Sequence, residues 1–174
     1  MARKLIKRFI PDPEWIKNQR SLKIMGDWLH DPNIWHLTRH SVASATFIGL
    51  FLAFIPLPSQ MIMAAALAVY FRANLAISVV LVWITNPLTV APIFIVAYKV
   101  GTIFVGGPTE QIAFELSWEW LSKELSTIWQ PLLLGSLLCG LFFGLLGQTL
   151  VKGLWRWYVI KRWHERRLRR QKNS

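Results

Sequence analysis

Few side chains in this sequence could do chemistry, and they stand far apart. His36 and His40 are four residues apart, the spacing that sets two imidazoles on one face of a helix beside a single metal ion. A closed site needs three or four ligands and nothing with matching spacing supplies them, so no metal is expected. Glu110, Glu115, Glu119 and Glu124 include carboxylates at helical spacing, which could serve as general acid and base. The solvated face of an interfacial helix accounts for them more simply. There is no activated Ser or Cys with a placed His and no glycine-rich phosphate loop. No catalytic residue and no cofactor follow.

A second group suggests binding. Gln60, Asn74, Thr85, Asn86 and Thr89 are neutral hydrogen-bonding side chains inside or between long apolar runs, and Arg72 and Lys99 are the only charges from Ser41 to Gly107. An ionisable side chain at membrane depth is costly and reads as functional by default, unless its long stem lets the charge reach the interface.

The elements that position these residues are two broken apolar runs. The first, 42–71, is interrupted at Pro56-Leu57-Pro58, and the second, 73–105, at Asn86-Pro87 with Pro92 a turn further on. Proline removes a backbone donor and clashes with the preceding turn, so each run should fold as two helices. The first piece, Val42 to Ile55, has 14 residues. That is roughly 21 Å of helix against the ~30 Å of a hydrocarbon core, too short to cross alone. Ser59 and Asn86 are expected to cap the helices that restart. With Arg39 before the first run and Arg72 after it, 42–71 reads as a re-entrant hairpin. Paired broken segments are a pointer to a membrane binding site; kinked spanning helices are the plainer alternative.

Composition agrees with a membrane setting. Of 174 residues 53% are hydrophobic and 17% charged, and the apolar residues lie in long runs instead of amphipathic stripes. The net charge of +11 is uneven: residues 1–40 carry eight Lys/Arg and four acids, 106–130 one Lys and four acids, and 152–174 nine Lys/Arg and one acid. Basic flanks stay in the cytoplasm, so both termini are expected inside and the number of crossings even. The first 40 residues have no cleavable signal pattern, and with one cysteine, Cys139, no internal disulfide is expected.

Three regions follow. Residues 1–40 form a basic, amphipathic cytoplasmic region, with helix starts at Asp12-Pro13 and Asp31-Pro32, the second running through Trp35 into the first run. Residues 41–155 form the membrane domain, in which 109–130 is an acidic, Trp-rich interfacial helix and 131–151 the clearest spanning helix. Ser136, Gly140 and Gly144 recur every fourth residue there and offer a small face for close packing, against the hairpin region or a second copy of the chain. Residues 156–174 are a basic cytoplasmic tail; bases among Trp and Tyr directly after a spanning helix suit anionic lipid and not nucleic acid.

Asp31-Pro32 with Trp35, Gly49, Phe54-Ile55-Pro56-Leu57-Pro58-Ser59-Gln60, Arg72-Ala73-Asn74-Leu75, Trp83-Ile84-Thr85-Asn86-Pro87-Leu88-Thr89, Pro92, and Tyr98 with Gly101 form a pattern. It resembles a bacterial membrane family catalogued as domain of unknown function number two thousand and sixty-two, over roughly residues 30–155. That domain is sometimes joined to glycosyltransferase-like domains, so the resemblance implies a link to cell-envelope lipid or glycan metabolism.

The expectation is therefore an all-α, polytopic protein of the bacterial inner membrane, with two Pro-broken hairpins and one clear C-terminal spanning helix. Its expected role is a small transporter or a lipid or anion flippase acting at the broken helices. The alternative is a non-catalytic scaffold that recruits an envelope enzyme, and the expected partners are anionic lipid at the basic tails, a second copy or that enzyme.

Overall fold

The computed structural model describes residues 35–57, 59–106 and 118–172, the side chains of 118–127, 166–170 and 172 excepted. The expected helices in 1–34, Pro58 and the start of the acidic segment lie outside the described residues. The described chain is all helical: α1 Arg39–Phe54, α2 Gln60–Tyr70, α3 Leu75–Val82, α4 Val90–Val105 and α5 Trp118–Lys172.

Both breaks fall beside the prolines. α1 stops at Phe54, two residues before Pro56, and α3 stops at Val82, before Asn86-Pro87. The start of α1 differs from expectation. Thr38 is its N-cap, accepting from the Ser41 N–H at 3.1 Å, so the helix does not run in from Asp31 and His36 precedes it. His36 and His40 are exposed and do not share one helical face. The acidic segment and the spanning segment also merge. α5 is one helix of 55 residues with Pro131 inside it, and its stretch Ile128–Glu165 is long and apolar enough to cross a membrane.

Hydrogen bonds and close approaches fix how the helices run. The Asn74 N–H donates to the Ser41 carbonyl at 3.2 Å and Ser78 Oγ to the Ala45 carbonyl at 3.3 Å. Four residues separate each member of one pair from its counterpart, so α1 and α3 are parallel and in step. α2 returns between them. α1 and α2 thus form a helical hairpin whose tip is Ile55–Ser59 and whose two ends lie together. The core of this unit is small side chains, with Ala45, Ala64, Ala65, Ala68, Ala73 and Ala76 buried around Leu52, Leu75 and Val79.

α5 runs antiparallel to both α1 and α4, and glycines set the contact. A Cβ on Gly140 would lie 2.8 Å from the Phe51 carbonyl, one on Gly144 3.2 Å from the Phe47 carbonyl, and one on Gly147 3.0 Å from Thr46. Further toward its N-terminus, a Cβ on Gly135 would lie 1.7 Å from the Ala97 carbonyl, and one on Gly101 of α4 1.7 Å from the Pro131 carbonyl. Such contacts are available only without a side chain, and they let backbones meet closely. The hairpin and α4 therefore occupy successive lengths of α5. Ser136, buried at 0% exposure, lies between the two contact regions.

Arg72 has φ 51°, the left-handed region, just past the end of α2. Its N–H donates to the Val69 carbonyl at 3.1 Å and the Ala73 N–H to the Ala68 carbonyl at 2.7 Å, which together make a Schellman closure. Glycine is the usual residue at that position, since a side chain there costs roughly 1 kcal/mol. A cation just past the C-terminal end of a helix is favoured by the helix dipole, which offsets part of that cost.

Candidate functional site

The two breaks meet. Gln60 opens α2, and its Nε2 donates to the Ile55 carbonyl, bridging the turn that contains Pro56. Thr85 Oγ1 lies 3.3 Å from Gln60 Oε1 and 2.8 Å from the Val82 carbonyl, sharing its one proton between them. One Gln side chain thus ties the hairpin tip to the end of α3. Ser59, expected to cap α2, makes no side-chain capping bond.

The second break is held by a reciprocal cap. Asn86 Oδ1 accepts from the Leu88 N–H at 2.9 Å and the Thr89 N–H at 3.0 Å, while the Asn86 N–H donates to Thr89 Oγ1 at 3.0 Å. This is a reciprocal Asn–Thr turn just ahead of α4, whose N-cap is Thr89, and Pro87 sits inside the turn, where a missing N–H does no harm. Thr89 Oγ1 also donates to the Ile84 carbonyl, closing the loop upon itself. α3 ends in three successive tight turns, from Trp83, Ile84 and Thr85 N–H groups to the Val80, Leu81 and Val82 carbonyls. The Thr-Asn-Pro-x-Thr pattern is thereby explained as a helix stop followed by a helix start.

This cap alters the expected chemistry. The amides of Leu88 and Thr89, just ahead of α4, are already bonded to Asn86 and so are not free to receive an anion. What the break presents outward is apolar bulk, Leu88 at 85% and Trp83 at 51% exposure, around the exposed Asn86 and Pro87.

The other expected binding residues are elsewhere. Asn74, 2% exposed, caps α3 by accepting from the Ile77 N–H at 3.0 Å, so it is structural. With Arg72 it lies at the open end of the hairpin, a helix length from Gln60. Lys99 is exposed on α4, away from both groups. The structure therefore brings together Gln60, Thr85, Asn86 and Thr89 and leaves Arg72, Asn74 and Lys99 apart. Gly101, read in the sequence only as part of the family pattern, and Gly135, read only as a neighbour of the small face of the spanning helix, make the contact that positions α4. Their signal was present: Ala97 and Gly101 are small residues four apart in an apolar helix.

A model of the bacterial family described as an uncharacterized protein conserved in bacteria (DUF2062) matches residues 22–164, which include every residue of both breaks and the glycine contacts. The chain belongs to this family. No curated protein and no solved structure matches it. Membership attaches no activity to the DUF2062 chain, so any function has to be argued from its own geometry.

Proposed function

We propose that this DUF2062 protein is a bacterial inner-membrane transporter or flippase of small size, working where its two helix breaks meet. The observation that carries the reading is the Gln60–Thr85 contact, which joins two Pro-containing interruptions of otherwise apolar helices at one level of the bundle. Irregular backbone at membrane depth is stable only where protein or a polar cavity satisfies it, and in transporters such breaks surround the substrate.

The membrane setting is supported by the outer face of α5. Leu133, Leu137, Leu141, Phe142, Leu145 and Leu150 are exposed along it, far more apolar surface than a soluble monomer leaves uncovered. Leu132 to Val151 is 20 residues, or about 30 Å, matching a hydrocarbon core. Beyond it Trp155, Trp157, Tyr158 and Trp163 occupy all sides of the helix, as in an interfacial aromatic belt. In this reading α3 and α4 make one interrupted crossing, α5 makes the return, and the α1–α2 hairpin enters and leaves on the cytoplasmic side. Both termini are then cytoplasmic.

Topology is testable by labelling intact cells with a membrane-impermeant maleimide. A cysteine replacing Glu124 should react before permeabilisation and one replacing Lys172 only after it, while the buried native Cys139 gives little background. The reverse order refutes this orientation.

Transport is tested in proteoliposomes by the access of dithionite to fluorescent phosphatidylglycerol in the inner leaflet. The parent should expose inner-leaflet lipid, and Gln60→Leu should slow it by about tenfold, the equivalent of one lost hydrogen bond of roughly 1.4 kcal/mol. No lipid movement by the parent rejects the flippase reading. The scaffold reading draws on the cationic, aromatic end of α5, where Lys161 lies over Trp157 and Arg162 over Tyr158, each 5.3 Å from the ring centroid. It predicts instead that a silent Gln60→Leu coexists with an essential tail.

A further inference from the structure

We propose that Arg39, Arg72 and Lys152, drawn from three separate parts of the chain to one end of the bundle, form a binding site for the headgroup of an anionic phospholipid. The inference rests on the membrane reading above and adds a ligand class that the helix breaks do not specify.

The placement follows from contacts already described. Asn74 bonds to Ser41, so Arg72, two residues before the one, and Arg39, two residues before the other, lie at the same end. Gly140 meets Phe51 and Gly144 meets Phe47, an antiparallel register in which each step forward on α5 is a step back on α1. Continued for about two turns, it sets Lys152 level with Arg39. This is also where α5 passes from its uncharged stretch to its basic one.

Three further features point to an anion. None of the three cations has an ion pair among the described residues. The one described carboxylate side chain is that of Glu165, 13 residues past Lys152 and therefore roughly 20 Å along the helix. Arg72 occupies the left-handed closure of α2, where glycine would be less strained, and strain retained at an exposed cation calls for a use. Beside it Tyr70 and Phe71 are exposed and pack edge to face, with centroids 5.0 Å apart, as suits side chains at the acyl boundary below a headgroup. Guanidinium groups hold phosphate through paired charged hydrogen bonds, and a cluster without a carboxylate among the described residues favours a lipid with net negative charge over a zwitterionic one.

The test is thermal unfolding of the full chain in maltoside micelles with phosphatidylglycerol, phosphatidylcholine or inorganic phosphate added. The parent should be stabilised by phosphatidylglycerol beyond phosphatidylcholine, following RT ln(1 + [L]/Kd), and not by inorganic phosphate. Arg39→Gln/Arg72→Gln/Lys152→Gln should weaken the apparent affinity by roughly 100-fold. Arg72→Gly relieves the backbone, so it should unfold no earlier than the parent without lipid and yet respond less to phosphatidylglycerol. A control of equal charge loss on the tail, Arg156→Gln/Lys161→Gln/Arg162→Gln, should lose less. An equal or greater loss in the control, or stabilisation by inorganic phosphate alone, overturns the proposal. A chain that reconstitutes into bilayers without any preference for phosphatidylglycerol fails this proposal only; one that does not partition into bilayers fails the membrane reading as well.

Discussion

Gly135→Ala and Gly101→Ala should each lower stability by about 3 kcal/mol or more, because the added methyl has nowhere to go. At both positions a Cβ would stand 1.7 Å from a carbonyl oxygen of the facing helix, Ala97 in one case and Pro131 in the other. Those oxygens belong to backbone and cannot rotate aside, so α4 must move off α5 as a body. That would open the contact around buried Ala97, Tyr98, Ile128 and Leu132. The effect should be graded. At Gly140 the nearest atom is 2.8 Å away and at Gly144 3.0 Å, so alanine there asks for smaller shifts. At Gly153 nothing lies within 4 Å, and alanine should stabilise by up to about 1 kcal/mol through helix propensity alone. Thermal unfolding in detergent checks the order, and a loss of less than about 2 °C for Gly135→Ala would mean the helices are not in contact as described.

Asn86→Ala should cost about 1–2 kcal/mol, whereas Pro87→Ala should cost little. Sequence reasoning puts the weight of function on the proline instead: as the visible helix breaker, its removal should let the second run close into one helix, holding stability while binding falls. In the structure the break is held from both sides without it. Asn86 binds two amides and receives Thr89 in return, and α3 has already wound into tight turns by Thr85. Removing Pro87 only restores a backbone donor in an exposed turn ahead of α4. Removing the Asn86 side chain leaves the Leu88 amide without its partner and the Thr89 amide with the Asn86 backbone carbonyl alone, and the loop that presents Thr85 to Gln60 loosens. Lipid movement should therefore fall in Asn86→Ala and persist in Pro87→Ala. Equal loss of stability in the two would show that proline, not the cap, sets the interruption.

Sequence alone determined the all-helical class, the uncharged runs and the places where they break, because proline geometry, apolar length and charge asymmetry are local properties. It also gave family membership, through motifs whose residues are close in the chain. Its boundaries failed where local signals compete: the helix at Asp31-Pro32 was extended past Thr38, although Thr38 makes the cap, and the acidic helix was separated from the spanning one at Pro131 although α5 runs through it. The candidate site was only half legible. Asn86 and Thr89 are three apart and their turn could be read, but the Gln60–Thr85 contact joins residues 25 apart and depends on how α2 and α3 pack. Packing likewise removed Asn74 from the binding set by burying it as a cap, and gave Gly101 and Gly135 the closest contacts in the fold. The reason is physical: a chain encodes its own turns residue by residue, whereas which faces meet depends on backbones approaching through missing side chains, a property of two helices at once.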